Sequence, residues 1–169
     1  PEPMMDRLDE LSAYQYYFQF TLTGYGKDIE TNVPHKKEKM IDVFQKLSEK
    51  AGRKRVIWRY DPIIFTGVYT PEYHLCAFSQ IAGALSGYTD QCVISFVDTY
   101  PKNRKNLEMI GAYELEEAKL MSFAGTMAET AKKNGMTIAS CAEKRDLSVC
   151  GIEASCCIDK RLIEEIIGS

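Results

Sequence analysis

Strand-like and helix-like segments alternate regularly along the chain. Residues 14–23, 54–61, 92–98 and 136–143 are rich in aromatic, β-branched or other apolar side chains, and a helical pattern of apolar residues follows each one. Strands separated by helices pair in parallel through right-handed crossovers. The sequence therefore predicts an α/β fold with a parallel sheet, in which one helix is followed by four βα units.

The expected helices have recognisable ends. Thr70 precedes Pro71 and Glu72, which indicates a helix start, because a threonine hydroxyl accepts hydrogen bonds from free backbone N–H groups and proline is tolerated in the first turn. Gly52 stands where the chain needs a left-handed residue after a helix. The helices are expected at residues 3–11, 35–51, 70–87, 114–134 and 159–167.

Two architectures fit this order of elements, an open doubly wound sheet and a barrel. An open sheet covered by helices on both sides needs strands that are apolar on both faces. Here one face of the first strand carries Gln19 and Thr21, and one face of the second carries Arg59 and Asp61. Such groups more readily line a barrel interior, so the sequence favours a partial, half TIM-type barrel with helices on its outer face only.

The chain has 169 residues, of which 45% are hydrophobic, and this suits a single domain over residues 1–169. Its first residue is Pro1 rather than methionine, which predicts that the domain is part of a longer chain. Four βα units form half of a closed barrel and leave strand edges exposed. We therefore expect a missing barrel half or self-association to cover those edges.

Charge and hydropathy narrow the classes of partner. Twenty-one basic residues against 24 acidic residues give a net charge of −3, which does not indicate nucleic-acid binding. No apolar run approaches the roughly 18 residues of a membrane span, and the opening residues do not show the charged, then apolar pattern of a secretory leader. These features predict a cytoplasmic protein that does not enter membranes.

Neither the histidines nor the cysteines of this chain are expected to form a catalytic or metal site. The six cysteines lack paired metal-ligand spacing, so Cys150, Cys156 and Cys157 are interpreted as structural and the thiols as reduced. His35 and His74 each stand near a helix start and are expected on exposed faces without a role. The sequence thus predicts no metal ligands and identifies no catalytic acid or base.

The candidate binding residues stand where strands end, because parallel α/β folds bind ligands at the carboxyl ends of their strands. The guanidinium of Arg59 offers a planar fork of donors for a carboxylate or phosphate. An internal ion pair of Arg59 with Asp61 or Glu143 explains the same residue equally well. The candidate ligand contacts are Gln19, Thr21, Arg59, Asp61, Ser95 and Glu143.

Three segments carry a resemblance to a known family: FQFTLTGYG at residues 18–26, WRYDPIIFT at 58–66 and SFVDTY at 95–100. The chain resembles a prokaryotic family of unknown function related to spore photoproduct lyase and the radical S-adenosylmethionine enzymes. The resemblance implies a barrel or partial barrel that binds S-adenosylmethionine beside a [4Fe–4S] cluster held by CxxxCxxC. That motif is absent here, so a cluster is expected only if the full-length parent supplies the cysteines.

From this resemblance we expect a barrel segment of a radical S-adenosylmethionine-like protein, inactive alone, whose strand ends bind a nucleoside-containing small molecule. Arg59, Asp61, Gln19 and Thr21 would be cofactor or substrate contacts. Two alternatives stay open. One is a binding or scaffold domain without chemistry, and the other is a barrel enzyme that acts on phosphorylated metabolites through Arg59.

Overall fold

A computed structural model describes residues 2–33, 37–143 and 145–168 of the chain. Five parallel strands lie side by side in sequential order. The strands are β1 (Phe18–Thr21), β2 (Val56–Ile63), β3 (Gln91–Phe96), β4 (Thr137–Cys141) and β5 (Glu153–Ser155). The α-helices are α1 (Lys37–Ala51), α2 (Pro71–Leu85), α3 (Arg104–Met109), α4 (Glu117–Lys133) and α5 (Lys160–Ile167), with 3-10 helices at Glu2–Leu11, Arg53–Arg55 and Ser148–Cys150.

The main core lies between one face of the sheet and helices α1, α2 and α4. Trp58 of β2 stacks on Phe78 of α2 with ring centroids 4.8 Å apart, and Phe20 of β1 meets Phe44 of α1 edge to face at 5.2 Å. Trp58 is fully buried and its indole N–H donates to the Leu22 carbonyl at 2.8 Å. Burial of these large aromatic side chains supplies much of the hydrophobic stabilisation of the sheet.

The predicted parallel sheet is confirmed, and the four expected strands are all present. The helix start at Thr70 is also confirmed, since its hydroxyl accepts from the backbone N–H of Tyr73 at 3.3 Å. Strand β5 and helix α3 were not predicted. Strand β5 has three residues, too few to give a visible alternation, and α3 is a six-residue helix between β3 and α4.

Five parallel strands in sequential order are compatible with a partial barrel. The expectation that helices cover only one face is wrong for α5, because Leu162 of α5 packs on the other face against Ile57, Val93 and Cys141. That face alternates polar residues with these apolar ones, so it also offers a hydrophobic surface to an amphipathic helix. We refer to this side of the sheet as the inner face.

The expectation of an exposed His74 is wrong. The His74 ring is fully buried, and its two nitrogens lie 2.9 Å from the Tyr60 hydroxyl and 3.1 Å from the Ile64 carbonyl oxygen. The prediction for His35 falls outside the described residues. No helix in the described part of the chain is long and apolar enough to cross a membrane.

Candidate functional site

Three of the predicted site residues meet on the inner face near the end of β2. Arg59 Nε donates to Asp61 Oδ2 at 2.9 Å, Arg59 Nη2 donates to the same oxygen, and Arg59 Nη1 donates to Gln19 Oε1. Only 15% of the Arg59 side chain and 12% of the Asp61 side chain are exposed. The hydrogen bond to Asp61 is the main cause that raises the pKa of Arg59. Of the interpretations left open for Arg59, the structure shows the ion pair with Asp61.

The other three predicted site residues do not join this cluster. Thr21 lies opposite Arg59 in the β1–β2 register and is exposed, and Ser95 of β3 is half-buried. Glu143 follows β4, its side chain is only 8% exposed, and its carboxylate lies 3.5 Å from Arg145 rather than pairing with Arg59. The structure therefore brings Gln19, Arg59 and Asp61 together and leaves Glu143 in a separate charged group.

Glu143 lines a cavity of about 520 Å³ at the carboxyl ends of three strands. The cavity begins at Ile63, the last residue of β2, and at Phe96, the last residue of β3, and it extends beneath α3. Cavities of this volume bind small organic molecules, and this edge of a parallel sheet is where such folds bind them. We therefore take this cavity as the candidate functional site.

One wall of the cavity is aromatic. The ring centroid of Phe65 lies 6.0 Å from that of Phe96 and 6.2 Å from that of Tyr113, and both pairs of rings are tilted by about 30°. The wall is held by the backbone, since the Tyr113 N–H donates to the Phe65 carbonyl at 2.9 Å. Tyr113 is 43% exposed, so its ring is accessible from solvent. Such a wall can stack on a flat ring or face a cation.

The charged residues of the cavity are mostly acidic. Arg145 lies 3.5 Å from Glu114 and 3.5 Å from Glu143, and it also lies 3.3 Å from Glu117, which is outside the cavity lining. Among the described residues that line the cavity, four are acidic and two are basic, and this excess of negative charge favours a cationic ligand. The charged lining residues are Asp98, Arg104, Glu108, Glu114, Glu143 and Arg145.

A smaller cavity of about 240 Å³ lies beyond the end of β1. Lys37 Nζ donates to the Thr23 carbonyl at 2.5 Å, and burial lowers the pKa of Lys37. The Tyr69 hydroxyl donates to Asp28 at 2.6 Å, and burial raises the pKa of Tyr69 to about 12. These polar groups have partners within the protein, so we interpret this cavity as a structural gap.

Sequence reasoning missed most of the main cavity. Phe65 lies in the segment of residues 58–66 that the sequence analysis singled out, so its part in a site could have been predicted. Tyr113 and Arg145 lie in loops after the predicted strand ends, where no pattern indicated a site. Within the described ranges, no group of three or more histidine, cysteine or acidic side chains is placed to hold a metal ion.

Comparison with known proteins identifies the family without indicating an activity. No curated protein matches the sequence. A family model matches residues 1–169, which is the full length of the chain. The chain therefore belongs to the family described as a domain of unknown function, DUF1848.

Proposed function

We propose that this chain is the ligand-binding segment of a radical S-adenosylmethionine-like protein and that its main cavity binds a cationic, nucleoside-containing small molecule. S-adenosylmethionine is the first candidate. The observation that carries the proposal is the cavity of about 520 Å³ at the carboxyl edge of a parallel sheet, with an aromatic wall and an excess of acidic residues.

The chemistry of S-adenosylmethionine matches these features. Its adenine ring can stack on Tyr113 or Phe65, and its sulfonium and ammonium groups are attracted by carboxylates such as Glu108 and Asp98. Its own carboxylate can pair with Arg104, which lies at the same cavity. One ligand thus uses the aromatic wall and both signs of charge.

The proposal assigns binding and orientation to this chain and no chemical step. Radical chemistry would be supplied by S-adenosylmethionine and an iron–sulfur cluster, because such chemistry belongs to the cofactor. The described residues do not bring three cysteines together to bind a cluster, so none of them is assigned to that role. We likewise assign no catalytic acid or base.

The ion pair at Arg59 argues against the alternative of a phosphate-binding enzyme. An incoming phosphate would compete with Asp61 and Gln19 for the donors of Arg59, and it would meet the Asp61 carboxylate beside them. A domain that binds a ligand without chemistry uses the same cavity and differs only in that no reaction accompanies binding.

Thermal unfolding with added ligands tests the proposal. S-adenosylmethionine should raise the unfolding temperature, since a ligand at 100 times its Kd stabilises the folded state by about 2.7 kcal/mol. S-adenosylhomocysteine lacks the sulfonium charge and should bind about tenfold more weakly, and a nucleotide phosphate should not bind. No shift with any of these ligands would contradict the proposal.

A matched pair of variants locates the site. Tyr113→Ala should weaken S-adenosylmethionine binding about tenfold, because it removes one ring of the aromatic wall. Tyr14→Ala is the control, since Tyr14 is 67% exposed and lies outside the cavity. An equal ligand shift in the two variants would place the ligand elsewhere.

A further inference from the structure

Two thiols that are distant in sequence meet beside the inner face of the sheet. Cys141 Sγ, at the end of β4, lies 3.1 Å from Cys157 Sγ, two residues after β5. The strand register explains the contact, because Cys141 is paired with Ser155 and the chain then turns back over the sheet. A disulfide requires a sulfur–sulfur distance of about 2.05 Å, so the two sulfurs need to approach by only about 1 Å.

The segment that carries Cys157 is attached to the inner face by few contacts. Gln19 Nε2 donates to the Cys157 carbonyl at 2.5 Å, and Leu162 packs against the apolar residues of that face. Lys54 Nζ and Glu165 Oε1 form an exposed ion pair at 2.7 Å. No residue of α5 is fully buried. The segment at residues 155–168 therefore lies over Arg59 but is held there weakly.

We propose that Cys141 and Cys157 form a reversible disulfide that locks residues 155–168 onto the inner face. This inference concerns a different part of the molecule from the ligand cavity and does not depend on the proposed function. In the reduced protein α5 opens by local unfolding and exposes the largely buried Arg59. In the oxidised protein the covalent bond beside Arg59 keeps this side chain covered.

The oxidant is a low-molecular-weight disulfide, and the exchange has two steps. The thiolate of the exposed Cys157 attacks one sulfur of the oxidant, which releases one thiolate and leaves a mixed disulfide on Cys157. The thiolate of Cys141 then attacks the Cys157 sulfur and displaces the second small thiolate. Both cysteine protons end on the two small thiols, and the oxidant has accepted two electrons.

The environment of each cysteine supports this order of events. Cys141 is 3% exposed, and burial raises its pKa, whereas the nearby Arg59 guanidinium acts in the opposite direction and stabilises its thiolate. Cys157 is exposed and accessible to a small oxidant. Cys156 is its exposed sequence neighbour. The contact of Cys157 with Cys141 distinguishes these two adjacent thiols.

Peptide mapping after incubation of the whole chain with glutathione disulfide tests the bond. Wild type and the matched control Cys156→Ser should both give an intramolecular link between Cys141 and Cys157. Cys141→Ser should retain glutathione on Cys157, because the resolving thiol is gone. A dominant link through Cys156, or a mixed disulfide on wild-type Cys157 that never resolves, would overturn the proposal.

Limited trypsin digestion tests the lock on the wild-type protein itself, which avoids any effect of mutation on folding. Cleavage after Lys160 and Arg161 should be about tenfold slower in the oxidised protein, because cleavage follows the opening of α5. Dithiothreitol should restore the fast rate. A disulfide that forms without slowing cleavage would show that α5 is not locked.

Discussion

The buried ring of His74 shows how one residue can couple stability to pH. The Ile64 carbonyl can only accept a hydrogen bond, so His74 Nε2 carries the proton and Nδ1 accepts from the Tyr60 hydroxyl. This tautomer is neutral and satisfies both ring nitrogens. Burial lowers the pKa of His74, which further favours the neutral ring in the folded state.

Acidification should therefore destabilise the protein through His74. In the unfolded chain His74 has the usual histidine pKa of about 6.5, so below that pH the unfolded chain binds a proton that the folded chain does not. The stability that the protein has above a pH of about 6.5 therefore falls as the pH is lowered further. Urea unfolding at pH 7.5 and 5.5 should show a loss of about 1 kcal/mol from this group.

The variant His74→Gln should be less stable at pH 7.5 and should lose less stability on acidification than wild type. His35→Gln removes the other histidine of the sequence and measures its contribution separately. A pH dependence of unfolding that is the same in His74→Gln and wild type would contradict the assignment.

The Arg59 ion pair makes a second prediction at the residue scale. Arg59→Met leaves the largely buried Asp61 carboxylate without its partner and should lower the free energy of unfolding by about 1–3 kcal/mol. The double variant Arg59→Met/Asp61→Leu should recover part of that loss, because it leaves no unpaired charge. Urea unfolding of the two variants measures the difference, and equal stabilities would contradict it.

The variant Arg59→Met also tests whether the ligand binds in the cavity or at the Arg59 cluster. Arg59 does not line the cavity of about 520 Å³, so the stabilisation by S-adenosylmethionine should be retained in this variant. Loss of that stabilisation would place the ligand at the inner face instead.

At the residue scale, the sequence placed Arg59 and Asp61 on one face because strand side chains alternate with a period of two residues, whereas the contact of Gln19 with Arg59 depends on the register of β1 against β2. The contact between Cys141 and Cys157 depends on a three-residue strand and the turn after it, which leave no periodic signal. Burial of His74 was missed because its ring turns toward the segment after β2, which the helical pattern of α2 does not show.

Among the elements, β1 and α2 approach closely at Gly24, just beyond the end of β1. A Cβ atom on Gly24 would lie 2.8 Å from the Ala77 Cβ of α2 and 3.2 Å from the Tyr60 hydroxyl. The Ala77 Cβ is fixed to the backbone of α2, so no side-chain rotation relieves the shorter contact. Gly24 is thus required for the helix to pack here.

Gly24→Ala should therefore destabilise the fold by about 1–3 kcal/mol, as overpacked cores do. Gly67→Ala is the matched control, because a Cβ there meets nothing within 4 Å, and it should be close to neutral. The double variant Gly24→Ala/Ala77→Gly should recover stability because the second substitution removes the clashing Cβ atom. The recovery should be reduced by the cost of about 1 kcal/mol for glycine in a helix. Thermal unfolding of the three variants checks this, and equal destabilisation by the two glycine substitutions would contradict it.

At the scale of the whole molecule, the parallel order of the sheet was predictable because each long strand and helix carries its own period and end signals. The position of α5 was not predictable, because its apolar stripe is compatible with either face of the sheet. The hydrophobic surface of Ile57 and Val93, among the polar residues of the inner face, decides that position.

The distribution of burial over the molecule predicts how it opens. Strands β2 and β3 hold fully buried residues such as Trp58 and Ile94, whereas β5 and α5 hold none. Native-state hydrogen exchange of the reduced protein should therefore show the slowest amides in β2, β3 and α2. The amides of β5 and α5 should exchange at least about a hundredfold faster, through local opening that leaves the rest folded.

Oxidation with glutathione disulfide should change this pattern in one region. Cys141 and Cys157 are 16 residues apart in sequence, and a disulfide between them would restrict the local opening of β5 and α5. Amide hydrogen exchange in β5 and α5 should therefore become slower, while the exchange rates in β2 and α2 should not change. Cys157→Ser treated in the same way is the control and should show no slowing. If β5 and α5 in the reduced protein exchange as slowly as β2, the segment is part of the global unfolding unit, and a reversible cover over Arg59 is ruled out.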